Sequence, residues 1–208
     1  MSINSKYRSF LLFYVAVIIA VYFILDKTAS TWSFEHLHRP VFLESLTHIV
    51  DRLRSGSVIF LVGVAFIAVL AKWTPGYYLK TASLASIAIL VSYEIKDELK
   101  YFFGRTWPET WTNANPSWIK DKVFGFNILH GGQGWGSFPS GHTTQIAALA
   151  TVIWLRLPNF RWLSLLLTLA VAVGLWGSDY HFVSDILAGG LVGIGSAVGI
   201  VNLLSKSD

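Results

Sequence analysis

Long runs of uncharged, mostly apolar residues restrict this chain more than any other feature of its sequence. Four runs of 17 to 20 such residues lie within 9–25, 55–71, 162–178 and 186–205. A helix of about 20 residues spans the hydrocarbon core of a bilayer. Hydrophobic residues make up 53% of the 208 and charged residues only 13%, whereas an ordinary soluble domain carries about 25% charged residues. The composition therefore predicts an integral membrane protein.

Two further helices complete the predicted bundle, because 79–103 keeps helical register through its charged end and 141–157 is apolar after a polar start. We predict an all-α, polytopic membrane protein, a single domain over 1–208 whose polar motifs fall within about 94–190. Its six transmembrane helices are predicted at 8–26, 56–73, 79–103, 141–157, 161–178 and 183–204. Apolar spacings of three and four over 42–54 predict a short amphipathic helix at the membrane interface.

The distribution of charge predicts how the bundle is oriented. Six spans place both termini on one side, which then carries a net charge of +6, while the opposite side carries −2. The positive-inside rule assigns the positive side to the cytoplasm of a cell (inner) membrane, so the 104–140 loop faces outward. The overall charge of +4 is thus the sum of a positive cytoplasmic side and a slightly negative opposite side. We expect the lipid bilayer, and not nucleic acid, as the partner of this chain.

Polar and ionisable residues concentrate in three stretches, 100–108, 138–142 and 179–185. The first stretch lies at the end of the third predicted span, and the other two lie at the starts of the fourth and sixth. All three are therefore expected at one level on the outer side. Ionisable groups near membrane depth are costly and are usually functional. The three stretches therefore predict one polar site at the outer end of the bundle.

The second stretch has the properties of an anion site. Ser140 is a favourable N-cap for the helix that follows, and the free N–H groups and dipole of a helix start attract anions. Gly141 lets a phosphate approach the backbone, and His142 falls in the first turn beside it. Capping alone would also explain Ser140, so this stretch needs the other two to indicate chemistry.

The other stretches add a nucleophile and cations. His181 and Asp185 are four residues apart, so they share a helix face, and a carboxylate at one imidazole nitrogen makes the other a better nucleophile. Lys100 and Arg105 offer positive charge for a phosphoryl group, although either could instead be a long side chain reaching the interface. Together these groups suit phosphoryl transfer through a phospho-histidine.

In order and in residue type, the three stretches resemble the signature of the type-2 phosphatidic acid phosphatase superfamily, K-x6-RP, PSGH and SR-x5-H-x3-D. The resemblance covers about 55–200. Lys100, the PSGH run, His181 and Asp185 match, but Trp107 and Leu175 occupy the positions of the two family arginines. A bidentate arginine at a phosphate is not readily replaced. Either Arg105 and another outer cation take over from the two arginines, or the phosphate site is altered or weak.

What the resemblance implies is a six-helix membrane phosphatase that uses neither a metal nor another cofactor. His181 would attack phosphorus with Asp185 orienting it, and His142 would act as acid and then base. The phosphoryl oxygens would be held by four residues, Lys100, Arg105, Ser140 and Gly141. The expected substrate is a phosphorylated lipid: phosphatidate, phosphatidylglycerol phosphate, undecaprenyl diphosphate or lipid A. A lipid phosphotransferase with the same site, or a phospholipid-binding protein without turnover, remains an alternative, and the oligomeric state is open.

Overall fold

The computed structural model describes residues 5–111 and 114–204, and the described chain is a bundle of α-helices joined by turns and one long loop between α5 and α7. In chain order the helices are α1 Ser5–Ile24, α2 Asp26–Leu37, α3 Val41–Thr47, α4 Leu53–Ala71, α5 Tyr77–Phe103, α6 Trp118–Asp121, α7 Gly141–Arg156, α8 Arg161–Gly177 and α9 Val183–Leu204. A helix thus covers each of the six segments predicted to span the membrane.

Within residues 5–111 and 114–204, three stretches are long and apolar enough to cross a bilayer by length and composition: α4, α8 with its preceding turn, and α9. The segments 8–24 and 26–37 would make a fourth span if taken as one, but they meet at a bend of 57°. The count of six spans therefore stays a prediction. Large apolar side chains are exposed along α1, α4 and α8, as lipid-facing surfaces require.

The centre of the bundle is the mutual packing of α5, α7 and α9. One buried cluster joins them through Ala88, Ile89, Ala148, Val152 and Ala197. A Cβ added to Gly189 on α9 would lie 2.5 Å from the Ser140 carbonyl oxygen, so only glycine lets the start of α9 approach the start of α7 this closely. Small residues at such contacts are typical of membrane helix pairs. This contact brings the second and third polar stretches together.

The amphipathic helix predicted for 42–54 is shorter than expected. Helix α3 ends at Thr47, turns follow through residue 52, and α4 starts at Leu53. Helix α3 packs on α8, and Val50 is buried in a second apolar cluster with Ile146 and Leu175. Because the backbone at Asp51 is a turn and not a helix, the Asp51 side chain faces the site described below.

The long loop between α5 and α7 folds back over one end of the bundle. Isolated bridges pair Arg105 with Phe126 and Gly136, and Trp107 with Ser117. Gly104 ends α5 in the left-handed conformation, with φ of 53°, and its Cβ position is occupied by the carbonyl oxygen of Asn127. A residue with a side chain would not fit there, so this turn directs the chain from α5 straight into the site.

Candidate active site

The start of α7 forms the floor of the site. The Ser140 side chain accepts a hydrogen bond from the N–H of Thr143 at 3.4 Å, as an N-cap does, which confirms the predicted cap. The Ser140 N–H is bound to the carbonyl oxygen of Asp185 at 3.0 Å. The first N–H groups of a helix, here those of Gly141 and His142, have no acceptor within the helix. N–H groups at a helix start can bind an anion.

His181 lies in the turn between α8 and α9 and is almost completely buried, with 2% of its surface exposed. Its Nδ1 is 3.7 Å from Oδ2 of Asp185, which is longer than a hydrogen bond but close enough to stabilise a positive imidazole. Burial lowers the pKa of His181 to about 4, against the opposing effect of the neighbouring Asp185. The ring is therefore neutral near pH 7, which is the nucleophilic form.

Asp185 itself is held rigidly at the start of α9. Its Oδ2 accepts hydrogen bonds from the Ser137 hydroxyl at 2.6 Å and from the N–H of Phe182 at 3.0 Å. Its Oδ1 accepts a hydrogen bond from the Arg105 guanidinium. These donors hold the carboxylate as an anion beside His181.

Arg105 was expected to contact phosphate, but its side chain lies elsewhere. Its side chain is completely buried and lines neither of the cavities at this end of the bundle. One guanidinium nitrogen donates to Asp185 and, at 2.7 Å, to the Ser184 hydroxyl, and another donates to Asp26 at 2.7 Å. Aromatic rings surround it, with the Phe182 ring centre 4.4 Å away. The guanidinium therefore bridges two buried carboxylates behind the site.

His142 has a carboxylate partner from outside the three polar stretches. Its Nε2 lies 3.3 Å from Asp51 Oδ1, and the other oxygen of Asp51 is 2.7 Å from Nδ1 of His48. Partial burial alone would raise the pKa of Asp51, but hydrogen bonds from both histidines lower it below its ordinary value. The carboxylate is thus ionised near neutral pH and can orient His142 and stabilise its protonated form.

These groups meet at a cavity of about 460 Å³ between the α3–α4 turn, α5, α7 and the α8–α9 turn. Gly141, His142 and His181 line it, together with Lys96 and Lys100 of α5. Ser140 is completely buried beneath the floor. A neighbouring cavity of about 510 Å³ under the loop between α5 and α7 shares Lys100, Trp107 and Tyr180 with the first.

The two positions without the expected arginine have different surroundings. The Trp107 ring lies 5.2 Å from the His181 ring, between centres, and its Nε1 donates to the Gln133 carbonyl at 2.9 Å. Leu175 is completely buried in the apolar cluster with Val50. Neither position presents a charge to the cavity, and apolar packing replaces the second arginine.

The sequence matches the PAP2 superfamily over residues 79–208. The chain belongs to the PAP2 superfamily. The match begins in α5 and includes all three polar stretches of the site. No curated protein matches the sequence.

The fold is similar to the crystal structure of a transmembrane PAP2-type phosphatidylglycerolphosphate phosphatase from Bacillus subtilis. The TM-score is 0.62 at 18% sequence identity, and 96% of each chain is covered. The PAP2 membership and the transmembrane fold, together with the exposed apolar helices, make this chain a membrane protein of that helical class.

Four residues that contribute to the site were not found by the sequence analysis: Asp26, Asp51, Lys96 and Ser137. Asp26 had a signal, because it is a lone acid at the end of an apolar run. Lys96 also had a signal, because it lies four residues before Lys100, and Ser137 directly precedes the second polar stretch. Asp51 had none, and only the packing of distant segments brings it to the cavity.

Proposed function

We propose that this protein is an integral membrane phosphatase that hydrolyses a phosphomonoester or diphosphate of a lipid through a phospho-histidine, without a metal. The observation that carries the proposal is one cavity lined by two histidines, two lysines and the start of α7. Membership of the PAP2 superfamily and the fold shared with a lipid phosphatase support it. The positive-inside distribution of charge favours a site on the periplasmic or exterior face.

In the proposed first step, Nε2 of His181 attacks phosphorus and the bond from phosphorus to the leaving oxygen breaks. Asp185, held by Ser137 and Arg105, stabilises the positive charge that develops on His181. His142, paired with Asp51, gives its proton to the leaving oxygen. Lipid alcohol leaves from a monoester, and lipid phosphate leaves from a diphosphate.

In the second step, neutral His142 takes a proton from water, and the resulting hydroxide attacks the phospho-histidine. The phosphorus–nitrogen bond breaks, and inorganic phosphate and neutral His181 are released. Lys100 and the N–H of Gly141 hold the phosphoryl oxygens in both steps. Ser140, buried below the cavity, acts by fixing the backbone of this floor, and Arg105 is a positioning residue for Asp185.

The test is phosphate release by the purified protein in detergent, with EDTA present. The substrates are phosphatidate, phosphatidylglycerol phosphate, undecaprenyl diphosphate and lipid A. His181→Ala and His142→Ala should each abolish release while leaving the thermal unfolding curve unchanged in shape. His36→Ala, which changes an exposed histidine on α2, is the matched control and should retain full activity.

The outcomes separate the alternatives. Release that survives EDTA and disappears in the two site variants supports a metal-independent histidine phosphatase. Normal release from the His181→Ala protein would refute the mechanism. Transfer of labelled phosphate to a lipid acceptor without release would indicate a phosphotransferase. No reaction with any lipid would favour a binding protein.

A further inference from the structure

Positive charge at the cavity comes from a residue that the family pattern does not contain. We infer that the ammonium group of Lys96 binds the phosphoryl group of the substrate, in place of the arginines absent at positions 107 and 175. The inference rests on the proposed function, because it concerns the same cavity. It makes Lys96 a second substrate-binding lysine beside Lys100.

Lys96 lies one helical turn before Lys100, so both side chains leave α5 on the same face. Only 6% of the Lys96 side chain is exposed, and the residue lines the cavity with His142 and His181. A Cβ added to Gly141 would be 3.1 Å from Cδ and 3.6 Å from Nζ of Lys96. The ammonium group therefore lies directly against the helix start where the anion-binding N–H groups are.

The partners of Lys96 leave it capacity to bind an anion. Its Nζ is 2.5 Å from Oδ1 of the adjacent Asp97, whose side chain is 47% exposed, and lies 3.6 Å from the centre of the Tyr93 ring. An ammonium group has three donors, and neither partner lies across the cavity. Asp97 accepts one of these donors, and a phosphoryl group in the cavity would accept another.

The position of a second lysine so close to Lys100 also needs an explanation. Like charges four residues apart destabilise a helix, and the cost rises where water is excluded. A phosphoryl group with about two negative charges between them would turn this repulsion into attraction. Other nearby cations are less suited to this role. Arg105 is completely buried between two carboxylates, and the side chain of Arg54 is half exposed at the rim, where solvent weakens its attraction for a phosphoryl group.

The experiment measures inhibition of lipid phosphate hydrolysis by inorganic phosphate and by orthovanadate, together with KM, for Lys96→Met. Loss of a charge-assisted hydrogen bond should raise KM and both inhibition constants by about tenfold or more. Lys96→Arg keeps the charge and should remain within a few-fold of the parent protein. Lys120→Met, on exposed α6, is the matched control and should change neither constant.

A second readout does not need turnover. Binding of inorganic phosphate to the folded protein raises its Tm, and this rise should be lost in Lys96→Met while Tm without phosphate stays similar. Lys96→Gln, which keeps a polar end without the charge, replaces Lys96→Met in both assays if the methionine variant does not fold.

Unchanged inhibition constants in an active Lys96→Met protein would overturn the inference while leaving the phosphatase proposal intact. If the parent protein hydrolyses no lipid, the proposed function fails. The phosphate-dependent rise in Tm then tests, independently of turnover, whether Lys96 binds an anion. A rise that persists in Lys96→Met, or no rise in the parent protein, would contradict a role in anion binding.

Discussion

Replacing Arg105 by methionine removes the cation that links two completely buried carboxylates. In the native protein the guanidinium donates to Asp185 and Ser184 from one nitrogen and to Asp26, at 2.7 Å, from another. All four side chains are inaccessible to solvent. The variant would leave the carboxylates of Asp26 and Asp185 close together without a compensating cation, and both lie at the junction of α1, α2 and α9.

The magnitude follows from this burial. Removing one partner of a buried ion pair costs about 3–5 kcal/mol, because the charge left behind is not solvated. For a chain of this size, 1 kcal/mol corresponds to a change in Tm of about 2–4 °C. Arg105→Met should therefore lower Tm by about 6–20 °C. The double variant Asp26→Asn, Arg105→Met leaves one buried carboxylate instead of two, so it should be more stable than Arg105→Met alone.

Activity measurements distinguish two roles for Arg105, positioning of Asp185 and direct binding of phosphate. Thermal unfolding in detergent is followed by tryptophan fluorescence, and hydrolysis is measured well below the Tm of the variant. If Arg105 positions Asp185, kcat falls by about 10–100-fold, the range found for groups that orient metal-binding histidines, while KM changes little. A Tm within about 2 °C of the parent protein would refute the reasoning on stability. A large rise in KM at unchanged kcat would indicate that Arg105 binds the phosphate of the substrate directly.

Three other predictions concern separate parts of the structure. Asp51→Asn should lower kcat about tenfold, measured by phosphate release, because protonated His142 loses its partner; unchanged kcat would remove Asp51 from the mechanism. Burial raises the pKa of Asp179 to about 7, so in the folded state this carboxyl gains a proton that it lacks when unfolded between pH 4 and 7, and its contribution to stability falls as pH rises through that range. Asp179→Asn should therefore raise Tm at pH 8 and raise it by a clearly smaller amount at pH 5. Asparagine tolerates the left-handed backbone at this position, φ 54°. An equal effect at both pH values would contradict this. Gly189→Ala should lower both Tm and activity, because its Cβ would lie 2.5 Å from a carbonyl oxygen at the start of α7, and a variant with parental Tm would show that the two helices can separate without cost.

The features that the sequence predicted correctly are local ones. Ser140 caps α7 because a serine before a helix can bond an N–H within the next turn, and no distant segment is needed for that. A helix covers every segment whose apolar run or helical period indicated one. The four-residue spacing of His181 and Asp185 does bring the two side chains to 3.7 Å, although His181 lies in the turn before α9 and not on the helix itself.

Tertiary structure alone decided which charges face the cavity. Arg105 and Lys96 are both cations near one end of α5, and nothing in their neighbours along the chain distinguishes them. Arg105 is turned inward by carboxylates that come from α2 and α9, one of them 79 residues earlier and the other 80 residues later. Lys96 instead lines the cavity because α7 packs against its face of α5. A buried charge is stabilised by partners that are distant in sequence. Composition, helical period and spacing therefore identify the charged residues, but only the packed helices determine what each one binds.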